Sequence, residues 1–329
     1  MPSSDRPAGG WGIPIATALA IVFLGLGGIA VRTIWIDAYW TFRREPPWLA
    51  ATGGANRLID RQTRRAKVQQ ALARAYGTAL LGSSTVYHGL DPADAETPDG
   101  PVFNAGISAL SAEELPVMAA IVASRPGLRR VVVGLDYYMF ARIGGPRPLD
   151  PALATPLGRL NERLGALIGW YAVADSRLDA VAGGDDPGRW TYDGFRVTPP
   201  LPPALTGRND AVRRRTTAAY RPERMVAIRR LLDRLEALDV VLYLSPVSAA
   251  QRRVMADLGL LGDFDRWRAD AATLTRARGR RLLDLTELGA TDPFDPATGS
   301  TPVWIDNLHY TPRLGREVLR AVGLRETAD

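Results

Sequence analysis

The sequence predicts an α/β protein: a five-stranded parallel sheet with helices on both faces, preceded by one membrane-spanning helix. Three observations carry this. Pro7 to Val31 contains no charged residue. Five short apolar runs, rich in β-branched residues or leucine, follow residue 76 and are bounded by turn signals. Helical patterns alternate with most of them, which argues for parallel strands joined by helical crossovers.

The first element is the anchor. Its densest part, Ile13 to Val31, nearly covers a hydrocarbon core of about 30 Å at a rise of about 1.5 Å per residue. It is too long for the apolar region of a signal peptide. Gly25, Gly27 and Gly28 would weaken a soluble helix but are ordinary in membrane helices. Residues 11–35 are therefore read as a single-pass anchor behind a short tail, residues 1–10, which is cytoplasmic if the large domain lies outside. Trp35, Tyr39, Trp40, Phe42 and Trp48 follow and resemble an interfacial aromatic belt. Arg6 flanks the first end of the anchor, and Arg32, Arg43 and Arg44 the second. By charge count alone, the large domain faces the cytoplasm.

Residues 36–76 read as a juxtamembrane linker and a charged helix, with Ala51 to Asn56 the loosest part. The strands are expected at Thr78 to Leu81, Val102 to Asn104, Arg130 to Val133, Val240 to Leu244 and Arg281 to Leu285. Ser111 and Glu114 form a capping box that opens a helix reaching Ser124. Further helices are expected at Pro222 to Leu238, Asp263 to Arg278 and Pro312 to Val322. An insertion at about 141–215 interrupts the alternation. Its first half is helical and its second is rich in Gly, Pro and aromatics. It suits a cap on the substrate side.

Composition narrows the function classes. The net charge is +6, and Lys67 is the only lysine among 41 basic residues. The arginines are scattered over helix faces without a basic, aromatic-interleaved tract, so no nucleic-acid partner is expected. A basic surface for anionic glycans or lipid headgroups stays open. With no cysteine, disulfides, thiolate nucleophiles and zinc–thiolate sites are excluded. No carboxylate cluster suggests a metal and no glycine loop suggests a phosphate, so no cofactor is expected.

In a parallel α/β sheet, ligands bind at the carboxyl ends of the strands. There the sequence offers Gly82, Ser83, Ser84 and Thr85 after the first strand, and Asn104, Ala105 and Gly106 after the second. Gly134 to Tyr137 follow the third, and Ser245 the fourth. "WIDNLHYTPRLG" precedes the last helix. A serine hydroxyl needs a base, and His88 and His309 are the only imidazoles. Asp306, three residues before His309, can orient one ring nitrogen and leave the other facing the serine.

These residues resemble the SGNH (GDSL-type) hydrolase superfamily, and most closely its membrane-anchored members linked to bacterial exopolysaccharide acetylation. "GSS" stands at the family's Gly-Asp-Ser turn. The resemblance therefore makes Ser84 the nucleophile and leaves Ser83 where the family has aspartate. Gly106 in "FNAGISA" matches its oxyanion glycine. Asp306-Asn307-Leu308-His309 matches its Asp-x-x-His block. Gly134 to Tyr137 falls at its Gly-x-Asn-Asp block, and here the match fails, because Asp136 stands where an oxyanion asparagine belongs. The resemblance covers about Thr78 to Leu324 and implies a flavodoxin-like, three-layer αβα domain over residues 77–329. It implies acyl transfer, as an O-acetylesterase or O-acetyltransferase, on a cell-surface or exported polysaccharide or acylated sugar. It further implies the periplasmic side of a bacterial inner membrane, against the charge count, and a membrane acyltransferase or export complex as a partner.

Plainer readings compete at each position. Ser84 is also a good helix N-cap, and Asp306 a good cap for the last helix. Gly106 is also a turn glycine, and Asn104 a strand-end cap or a substrate contact. His88 is read as lining the site without being its base. Trp190, Tyr192 and Phe195 suit either sugar stacking or, preferably, the small core of the insertion. Asp136 favours a rival class, a catalytically silent glycan-binding or assembly component.

Overall fold

The computed structural model describes residues 12–142, 145–181 and 188–326. The expected tail, residues 1–10, lies outside them. Helix α1, Gly12–Ile36, opens the described chain. Pro14–Ile36 is long and apolar enough to cross a membrane.

Past α1 the expectation of an aromatic belt and a loose linker needs correction. Tyr39, Trp40 and Trp48 are buried, while Trp35 and Phe42 remain exposed. The backbone turns sharply at Asp37, whose carboxylate accepts the N–H groups of Phe42 at 2.9 Å and Arg43 at 2.8 Å. The buried rings pack with Leu58, Ile59, Tyr87 and Trp190 of the soluble domain. The Asn56 amide reaches Ala38 O at 2.8 Å and the Gln70 amide reaches Tyr39 O at 2.7 Å. Apolar rings given an inner surface leave the lipid boundary for it.

Helix α2, Thr63–Ala73, leads to strand β1, Thr78–Leu81, and the short helix α3, Ser84–Gly89. Then come β2, Val102–Asn104, α4, Leu115–Ala123, and β3, Arg130–Leu135. The insertion holds α5, Pro156–Ile168, a two-stranded ribbon of Arg189–Trp190 and Arg196–Val197, and α6, Pro203–Thr216. The last part runs α7, Val226–Arg234, β4, Asp239–Leu244, α8, Ala249–Asp257, α9, Leu261–Ala277, β5, Arg281–Asp284, and α10, Pro312–Ala321.

The five strands are parallel in the order β2-β1-β3-β4-β5. Their side chains alternate between two cores, as a strand period of two requires. Ala79, Leu81, Val131, Val133, Val240 and Leu242 face α2, α4, α7 and α9. Leu80, Val132, Val241 and Tyr243 face α3 and α10. The strand order reverses between β1 and β3, and this switch point is where such sheets bind ligands.

The insertion leaves the sheet just after β3 and returns before α7, its ends joined by an antiparallel bridge between Arg142 and Thr217. Its ribbon is stitched to the sheet edge. Asn104 N donates to Asp193 O at 2.9 Å, and the fully buried Lys67 ammonium bonds Asn104 O and Gly194 O. Trp190 and Phe195 are buried, and Trp190, with Tyr192 partly buried against it, belongs to the core shared with Tyr39, Trp40, Trp48 and Tyr87 rather than to a core of the insertion alone.

Candidate active site

Ser84 owes its position to the two residues before it. Gly82 has φ 152°, and a methyl group there would stand 2.4 Å from Val86 Cγ2 and 2.9 Å from Gly134 O, so only glycine lets α3 start so close to the sheet. Ser83 is the cap of α3, its Oγ accepting from Thr85 N at 3.2 Å. Capping is therefore Ser83's work, and the Ser84 hydroxyl is left for another partner. As the first helical residue, Ser84 also has an N–H without an intrahelical acceptor.

That partner is His309, whose Nε2 lies 2.8 Å from Ser84 Oγ. His309 Nδ1 lies 2.9 Å from Asp306 Oδ2. A carboxylate only accepts, so Nδ1 carries the proton and Nε2 of the neutral ring accepts from Ser84. Asp306 is itself fixed. Its Oδ1 accepts Leu308 N at 2.9 Å and His309 N at 2.8 Å, and its Oδ2 accepts the Asn209 amide at 2.9 Å. Burial alone would raise the Asp306 carboxyl, but the charge and hydrogen bond of His309, helped by Arg213, hold it well below the usual carboxylate range. The cap of α10 is Thr311, so Asp306 has no capping duty.

The four outer candidates fare differently. Asn104 is fully buried and acts as a bolt rather than a substrate contact. Its amide donates to Val86 O at 2.9 Å and Leu90 O at 2.8 Å, tying the middle of α3 and the residue just past its end to β2. Gly106 lies against the Ser83 turn as expected, but its N–H donates to Asn104 Oδ1 at 3.0 Å and is spent. Gly134 stands inside β3, where a methyl group would come 2.6 Å from Tyr243 Oη. It is a packing glycine below the site. Asp136 is turned away from the reacting centre. It accepts Ser83 Oγ at 2.6 Å and Thr85 Oγ1 at 3.0 Å, underneath the α3 turn. Burial raises its carboxyl above the usual range despite the Ser83 bond.

Three contributors escaped the sequence reading. Asn209 and Arg213 share one face of α6, four residues apart, and reach the site from the insertion. Asn209 holds Asp306, while the Arg213 guanidinium lies 5.9 Å from the Tyr138 ring. Tyr138 is the third. Its hydroxyl is buried close to Ser83 and Ser84, and among the described residues no partner stands at full hydrogen-bond geometry to it. Burial pushes the phenol up, so it stays a donor. The only local signal was a tyrosine two residues past the mismatched aspartate.

His88 lines the site. Its ring centroid lies 4.7 Å from that of His309, and its Nδ1 is held by Thr198 Oγ1 at 2.7 Å. Burial, then the neighbouring His309, keeps His88 neutral. The whole arrangement is a serine with a lone donor N–H, a base aimed at its oxygen, a fixed carboxylate behind the base, and a spare phenol donor. No family model matches this chain, and no curated protein matches it.

Proposed function

We propose that the protein is a membrane-anchored, SGNH-type acyl-transfer enzyme acting on O-acyl groups of a cell-surface or exported polysaccharide. One observation carries the reading: Ser84 Oγ, His309 and Asp306 form a continuous chain at 2.8 and 2.9 Å at the strand-order switch point. Ser84 Oγ attacks the ester carbonyl while its proton passes to His309 Nε2. The tetrahedral oxyanion is bound by the Ser84 N–H and the Tyr138 hydroxyl, which takes the part that Asp136 cannot. Collapse returns the proton from His309 to the departing alcohol and leaves acyl-Ser84. Water (esterase) or a sugar hydroxyl (O-acetyltransferase) then gives its proton to His309 and attacks the acyl carbon, and His309 returns that proton to Ser84 Oγ as the acyl–serine bond breaks.

The working place that suits this substrate is the outer, periplasmic side of a bacterial inner membrane, with a membrane acyltransferase or export complex as acyl source. Reporter fusions after residue 50 test the side. A cytoplasmic signal sinks the exopolysaccharide role.

A second reading, a silent glycan-binding or assembly component, is favoured by Asp136 and by the spent Gly106 N–H. A fluorophosphonate probe separates the two. The wild-type chain is expected to label and Ser84→Ala to stay unlabelled. Labelling that persists in Ser84→Ala removes Ser84 from the nucleophile role. Absence of both labelling and acetyl-ester turnover in the wild type leaves the silent reading.

A further inference from the structure

Helix α5 of the insertion is built inside out. Leu157, Leu160 and Leu164 share one face at helical spacing, and they are 75%, 53% and 49% exposed. Ala166, on the opposite face, is buried. Arg159, Glu162 and Arg163 bond back to the protein, while Asn161 stays exposed. Glu162 Oε1 accepts from Gln69 Nε2 and the Tyr171 hydroxyl, each at 3.1 Å. Arg163 donates to Leu72 O at 3.1 Å and Arg159 to Ala154 O at 3.0 Å. Trp170, just past the helix, is 85% exposed, and nothing among the described residues covers this stripe. A helix that turns polar groups inward and leucines outward gains nothing from water.

The place of α5 says what covers the leucines. It packs beside α1, as does Trp170–Asp175. Residues 14–28 of α1 are exposed, and cover begins only at Ile29 and Ala30. Thr33 shares a small cleft with Ala166 and Ala172, and Arg32 Nε donates to Ser176 O at 3.2 Å. Ile29 and Ala30 precede the first charge, Arg32, by only about 3–5 Å of helix rise. An element packed against that turn sits at the depth where hydrocarbon gives way to headgroups.

We infer that α5 and Trp170 lie in the interfacial layer of the leaflet from which α1 emerges, with the Leu157, Leu160 and Leu164 face immersed in lipid. The domain is then docked flat on the membrane through its insertion as well as tethered by α1. Immersion of an apolar face by about 5–10 Å is what such helices achieve. The same insertion supplies Asn209, which bonds Asp306, and Thr198, which bonds His88, so lipid contact and the candidate site share one element. This inference rests on α1 spanning the membrane, but not on the acyl-transfer chemistry.

The cysteine-free chain makes the test direct. Full-length protein is placed in phosphatidylcholine vesicles with a single cysteine at Leu160→Cys, Leu164→Cys, Leu24→Cys or Glu317→Cys, each carrying bimane. Nitroxide-bearing lipid should quench the labels at 160 and 164 as it quenches the label at 24 in mid-α1. A water-soluble nickel chelate should spare those three and quench the label at 317 on α10. If 160 and 164 follow 317 while 24 stays lipid-quenched, docking is wrong and the span stands. If 24 also follows 317, the span itself fails and takes the docking with it. If 160 and 164 escape both quenchers, docking is overturned, and an oxidant-formed disulfide between two unlabelled Leu160→Cys chains then makes the stripe an interface between copies.

Discussion

At the residue scale the site depends on protons held in place. Asp306 is ionised and fixed by two backbone N–H groups and Asn209. Asp306→Asn keeps the shape but lets Nδ1 accept instead of donate, which turns the wrong nitrogen toward Ser84. Turnover of an acetyl ester should fall about 10⁴-fold with little change in KM. Tyr138→Phe removes a buried hydroxyl that has no partner at full hydrogen-bond geometry. We expect an unchanged melting temperature and a kcat loss of about 10²-fold, the cost of one oxyanion donor. An unchanged kcat would remove Tyr138 from the oxyanion role. His88 makes a pH prediction. Its folded state resists protonation, whereas the unfolded chain takes up the proton near the ordinary imidazole value of about 6.5. The unfolded state thus binds more protons below that pH. Stability is full above it and declines as pH falls, by up to about 1.4 kcal/mol per pH unit. His88→Gln should flatten that slope in denaturant titrations at pH 7 and pH 5.5.

At the element scale, α3 is a six-residue helix too short to hold itself, so its position is set by what ties it down. Asn104 does this from β2, bonding Val86 O near its middle and Leu90 O beyond its end. Asn104→Ala leaves Leu90 O and the Gly106 N–H without the amide that pairs them in the interior, while Val86 O keeps the Leu90 N–H at 2.9 Å. It should cost about 3 kcal/mol in urea unfolding. Activity should fall as well, since Ser84 rides on α3. The serine-rich turn itself was legible in sequence, but the division of labour within it was not. Which of two adjacent serines caps the helix depends on where the first helical residue falls, and sequence patterns do not resolve a single residue. Asp136 was legible as a mismatch. That it pairs with Ser83 and Thr85 follows only from β1 and β3 being neighbours.

At the scale of the whole molecule, α1 and α3 are linked through one core. Tyr39, Trp40 and Trp48, just past α1, pack with Trp190 of the insertion and Tyr87 of α3. A chain starting at residue 32 retains this core. A chain starting at residue 57 loses three buried aromatics, at about 1.5–3 kcal/mol each. The shorter chain should therefore melt well below the longer one, as read by circular dichroism. Equal melting temperatures would show that the juxtamembrane rings contribute nothing to the domain.

The sequence by itself determined the five strands, their alternation with helices, the apolar helix long enough for a bilayer, and the residues Ser84, Asp306 and His309. Each of these is a local pattern: a period of two or 3.6, a run of uncharged residues, a three-residue spacing. Tertiary structure alone decided what those patterns meet. It brought Ser84 and His309 together across 225 positions. It drew Tyr39, Trp40 and Trp48 away from the lipid boundary into a core, and spent the Gly106 N–H on Asn104. It also turned the leucines of α5 outward, beside the helix that the sequence had already marked for the membrane. Burial and hydrogen-bond competition depend on neighbours distant in sequence, which no local spacing records.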